Sequence, residues 1–152
     1  MYHSRVVQLI SILGFAMTFL VVDALASRAI VRFTVGEFEE GAPESQIQGA
    51  IEVELNDANG EIVSIEAVSL SINGYAFQVS ELGFKEYRNF NIVGAEGPEF
   101  GSATGIKHGA PSDFWLLWNK DTGLPKEFAY TGSVERIHIS KSFTEFSIDP
   151  AP

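Results

Sequence analysis

Trp115 is the residue of this sequence best placed to bind something. The run Asp113-Phe114-Trp115-Leu116-Leu117-Trp118 alternates as a β-strand does, so Phe114, Leu116 and Trp118 take one face and Trp115 and Leu117 the other. On an outward face an indole ring stacks on a sugar or anchors a partner protein. In a strand covered on both faces, or under a loop, the same residue is ordinary core. Trp115 is the one ligand-binding residue assigned from the sequence, for a protein or carbohydrate partner.

Other groupings are weaker. His108 lies in a Gly-rich segment close to Asp113, and a secreted hydrolase using the 94–112 loop is the alternative function. A small-ligand carrier with an internal cavity is a second alternative. No Ser sits in a G-x-S-x-G elbow, so nucleophilic hydrolysis lacks its usual scaffold. Glu52 and Glu54 share one strand face at a separation of ~6.5–7 Å by strand rise. That separation would suit a glycosidase pair, but this is the water side of an amphipathic strand, where carboxylates are expected anyway. His138, between Ile137 and Ile139, reads as lying on a polar strand face. Asp57, Asn59 and Glu61 resemble part of a calcium loop, yet Ile62 and Val68 stand where that loop needs Gly and Glu, and a hairpin turn accounts for all three. Zinc needs three or four ligands, whereas cysteine is absent and His3 falls in the leader, leaving two histidines. No catalytic residue, metal ligand or cofactor is therefore assigned.

The elements that position these residues are strands. Val31, Phe33 and Val35 alternate with polar neighbours, as do Ile47 to Leu55. Asn56-Asp57-Ala58-Asn59-Gly60 carries turn chemistry, and the next strand runs from Glu61 to Ile72. Its apolar phase changes from Val63 and Ile65 to Val68, Leu70 and Ile72, which predicts a bulge around Glu66-Ala67. Asn73-Gly74 predicts a two-residue type I′ hairpin pairing Ile72 with Tyr75, Leu70 with Phe77 and Val68 with Val79. Tyr87 to Val93 reads as one short strand. Gly94 to Ser112 holds five Gly and two Pro in 19 residues and reads as a long irregular loop. Strands follow at 113–118, around 128–130, and at 134–139 and 143–148. The cadence predicts an all-β fold, an antiparallel β-sandwich or a partly closed barrel of about eight strands.

Residues 1–26 read as a signal peptide. Arg5 precedes Val6 to Val22, a stretch without charge, and Ala24-Leu25-Ala26 supplies the small residues that signal peptidase reads. A retained anchor needs ~20 apolar residues, and no Lys or Arg cluster follows this stretch. Cleavage after Ala26 leaves a single domain over 27–148 and a short tail over 149–152, secreted or periplasmic, preceded before cleavage by a signal helix. A chain of this size buries enough surface to fold without disulfides. Twenty Asp and Glu against ten Lys and Arg give a net charge of −10. Such a field repels nucleic acid and anionic membranes, so neither is expected as a partner after cleavage.

The segments F-T-V-G from Phe33, G-A-I-E-V-E-L-N-D-A-N-G-E-I from Gly49 and L-S-I-N-G-Y-A-F from Leu70 resemble the β domains of uncharacterised bacterial exported proteins, many of which carry a PEP-CTERM sorting tail. D-F-W-L-L-W from Asp113 and S-F-T-E-F-S-I from Ser142 fit the same likeness. Asp149-Pro150-Ala151-Pro152 stands in place of that tail. The resemblance implies export and a β domain and brings no catalytic residues. The function expected is an exported, non-enzymatic binding or assembly module.

Overall fold

The computed structural model describes residues 25–132 and 136–152, so the signal helix expected over 5–24 lies outside the described residues. The chain is all-β. Its strands are β1 (Ala26–Gly36), β2 (Gln46–Asn56), β3 (Ile62–Ile72), β4 (Tyr75–Ala76), β5 (Leu82–Tyr87), β6 (Phe90–Ala95), β7 (Gly101–Ser102), β8 (Gly105–Ile106), β9 (Phe114–Asn119), β10 (Pro125–Thr131), β11 (Ile137–Ser140) and β12 (Ser142–Pro150). One antiparallel sheet has the order β12-β1-β2-β3-β4, the other β11-β10-β9-β6-β5, and β7 and β8 form a small hairpin of their own. Neither sheet closes on itself, so the fold is not a closed barrel.

Alternation along the strands explains how the sheets pack. Val31, Phe33 and Val35 of β1 and Ile51 and Val53 of β2 point to one side, and Phe114, Leu116 and Trp118 of β9 with Phe128 and Tyr130 of β10 meet them from the other sheet. Aromatic rings fill the space between. Phe77 meets Phe114 at 4.8 Å between ring centroids, Phe33 meets Phe128 at 5.4 Å, and Phe114 stacks on Phe128 at 6.0 Å. Such pairs each contribute about 0.5–1.5 kcal/mol beyond their burial.

The Asn73-Gly74 turn forms as expected. Asn73 has φ 52° and Gly74 has φ 79°, the two positive angles of a type I′ turn. Ile72 pairs with Tyr75, and the Phe77 N–H donates to Leu70 O at 3.0 Å. The third expected pair fails, since Val79–Glu81 is a 3₁₀ turn and Val79 is exposed. Glu81 Oε2 accepts the Gln78 N–H at 2.7 Å, and this capping contact lifts the chain out of the first sheet toward the second. Val68 lies across from Ile51 instead.

The bulge in β3 is present. Glu52 pairs with Ala67 and Val53 with Ile65, leaving Glu66 unopposed. A second slip leaves Val63 out, so Ile62 is buried and Val63 is exposed, against the phase read from the sequence. Tyr87 to Val93 is not one strand but the corner of a hairpin. Arg88, at φ 56°, turns β5 into β6, and Tyr87 pairs with Phe90. No Gly or Pro marks that turn, which is why alternation alone ran through it. The tail is partly strand, because β12 continues to Pro150 and Asp149 pairs with Arg32 at 3.0 Å.

Candidate functional site

Strand register sets Trp115 on the outer face of the second sheet. Gly94, Trp115, Ala129 and Ile139 form one row across β6, β9, β10 and β11, and Lys85, Ile92, Leu117 and Glu127 form the next row across β5, β6, β9 and β10. Lys85, Tyr87, Ile92, Thr104, Trp115 and Leu117 line a groove of about 390 Å³. That volume lies within the range of small-ligand sites, roughly 300–1,000 Å³. Trp115 is half-buried here, whereas Trp118 on the opposite face is buried in the core, as strand parity requires.

The Gly-rich segment supplies one end of the groove. The β7–β8 hairpin lies against β9 and β10 and brings Thr104 to the lining. It approaches closely because residue 94 has no side chain. A Cβ there would stand 2.6 Å from Phe114 O and 3.1 Å from Ala103 Cα. Thus the expected loop is an anchored structure, with Phe100, Ala103 and Ala110 buried.

Asp113 is the anchor. Its side chain is fully buried, Oδ2 accepts the Lys107 N–H at 2.7 Å, and Oδ1 has no partner among the described residues. Its backbone N–H donates to Thr131 Oγ1 at 2.9 Å. Burial pushes its carboxyl up to about 6, against the pull of the Lys107 and Phe114 N–H groups and the Lys107 charge. This group ties the loop to the sheet, and His108 is exposed.

The remaining groupings are structural. Glu52 faces Arg28 at 3.7 Å, and Glu54 accepts from Ser64 Oγ at 3.1 Å, both on the outer side of β2. Asn59 Oδ1 accepts the Glu61 N–H at 3.1 Å, and Glu61 meets Lys120 at 2.9 Å, so these residues build a turn and an ion pair. Lys120 also pairs with Glu86 of β5. Among the described residues, no group of three or more His, Asp or Glu side chains could hold a metal ion.

His138 is not on a polar face. It is buried across from Tyr130, with Nδ1 2.9 Å from Glu39 Oε1, while Ile139 is the exposed residue. The carboxyl of Glu39 stays below its usual range: partial burial raises it, but hydrogen bonds from its own backbone and from His138 outweigh that. Nothing in the spacing of β11 shows this, because Glu39 comes from a loop nearly a hundred residues away.

The outer face of the second sheet carries features that the sequence reading missed beyond Trp115 and Leu117. Tyr87 and Lys85 reach the groove only because the unrecognised β5–β6 hairpin adds a fifth strand. Trp115 Nε1 is buried without a hydrogen-bond partner among the described residues. The outer face of the first sheet carries Arg28, Arg32, Glu52, Glu54, Glu145 and Asp149, with Ile30, Ala50 and Ala67 among them. Compared with known protein families, curated proteins and solved structures, the chain matches none.

Proposed function

We propose that this chain is exported by its N-terminal segment and works as a non-enzymatic sandwich-type binding module, holding a protein or carbohydrate ligand on the outer face of its second sheet with Trp115 at the centre. The observation that carries this reading is the largely apolar groove around Trp115 on this outer face, where the outer face of the first sheet carries the ion pairs Arg28–Glu52 and Arg32–Asp149. The space between the sheets is filled by aromatic side chains, which favours a surface ligand over a carrier cavity. Asp113, committed to the loop backbone, weakens the hydrolase alternative.

Export is consistent with where β1 begins. Cleavage after Ala26 removes a single residue of the strand and leaves Ser27 and Arg28 at the exposed end of the sheet. Mass spectrometry of secreted protein is expected to find Ser27 first, and an intact Met1 would overturn this point. For binding, immobilised protein is to be compared with its Trp115→Ala variant in retaining components of the culture medium. A Trp at a contact commonly contributes more than 2 kcal/mol, so retention is expected to weaken by roughly thirtyfold. Equal retention by both would sink the assignment of Trp115.

A further inference from the structure

On a chain with twice as many acids as bases, the cations are unevenly placed. Arg28, Arg32, Lys120 and Lys141 each lie within 4.0 Å of a carboxylate. Lys85, Arg88, Lys107, Lys126 and Arg136 have no ion pair among the described residues, and three of these five, Lys85, Arg88 and Lys126, stand around the groove. Lys85 lines it, the Arg88 guanidinium lies 5.1 Å from the Tyr87 ring centre, and Lys126 Nζ lies 5.3 Å from that of Phe90, next to Tyr87 on the outer face. The acids nearby are Glu127, which meets Lys141, Glu86, held by Lys120, and Glu96, whose carboxylate covers Gly83 in the cross-strand row of Gly94 and Trp115.

Resting on the reading of this face as a binding surface, we infer that its ligand is an acidic glycan, a chain of sugar rings bearing carboxylates. The apolar face of a pyranose ring stacks on an aromatic side chain, here Trp115 or Tyr87. A carboxylate on the ring edge then meets the Lys85 ammonium as a charge-assisted hydrogen bond. Thr104 Oγ1 adds a neutral hydrogen-bonding group for ring hydroxyls. An extended acidic peptide fits less well. Peptides bind sheets by completing a ladder at a free edge, and the free edge here is that of β5, whereas Trp115 stands on β9, two strands inward.

The test titrates the full-length protein with three probes of similar length: an oligogalacturonate, a neutral galacto-oligosaccharide and an oligoglutamate peptide. Binding is read by calorimetry and by indole fluorescence. Oligogalacturonate is expected to bind best and to weaken several-fold as salt is raised. Lys85→Gln is expected to cost about five- to tenfold for that probe and nothing for the neutral sugar. Lys85 is exposed, so this change leaves the fold intact, and a melting curve matching the parent's confirms that. If the neutral sugar binds as tightly and Trp115→Ala abolishes both, the acidic preference is wrong while the binding face stands. If oligoglutamate binds better than either sugar, the glycan is the wrong class. If no probe binds, the inference falls, and retention from culture medium then decides separately whether the face binds anything.

Discussion

Replacing Asp113 with Asn tests whether a buried carboxyl sets the acid–base profile of this domain. The folded protein holds this group at about 6, against 3.8 for an ordinary aspartate, and burial is the main cause. A carboxyl raised on folding is protonated more readily in the folded chain than in the unfolded one. Its contribution to stability is therefore complete below about 3.8 and is lost as pH rises through about 6. Each pH unit between those values corresponds to about 1.4 kcal/mol, so the loss is about 3 kcal/mol, or roughly 10 °C in Tm for a domain of this size. Asn is nearly isosteric, and its Oδ1 can still accept the Lys107 N–H. Its amide group, set where Asp113 Oδ1 has no partner, adds a cost that does not vary with pH. The assay is urea unfolding of both proteins from about pH 4 to pH 8. The parent should lose about 2.5 kcal/mol relative to Asp113→Asn across that interval, the first part of the loss falling below pH 4. Taking the difference cancels the other carboxylates, including Glu39 and Glu61, whose lowered values act in the opposite direction. Parallel curves for the two proteins would refute the argument.

Gly74→Val forces a β-branched residue to a φ of 79° and is expected to destabilise by about 1 kcal/mol or more; an unchanged melting temperature would count against the type I′ turn. Trp118→Ala opens a cavity in the core and is expected to cost about 3–5 kcal/mol, measured by urea unfolding. Trp115→Ala, half-buried on the outer face, should cost clearly less, and an equal loss at both positions would mean that Trp115 is core.

Local chemistry made much of this fold legible in the sequence. A side-chain period of two put Trp118 and Trp115 on opposite faces of β9, and the sheet packing made the first the core side. Asn73-Gly74 specifies its turn because those residues accept positive φ, and the parity change in β3 announced the bulge at Glu66. The groove was legible only as Trp115 and Leu117, since its other walls come from β5, β6 and the β7–β8 hairpin.

Sequence alone thus determined the strand character, the phase of β9 and the clearest hairpin, because each depends on neighbours within a few residues. Tertiary structure decided what depends on distant ones. His138 turned inward because Glu39 and Tyr130 meet it there, Val79 left the strand because the chain must cross between sheets, and the 94–112 segment became ordered because Asp113 gives its loop a buried acceptor. Lys85 and Tyr87 came to stand beside Trp115 through pairing of β5 with β6 and of β6 with β9. Pairing partners are chosen by burial summed over whole sheets, and no short stretch of sequence contains that sum.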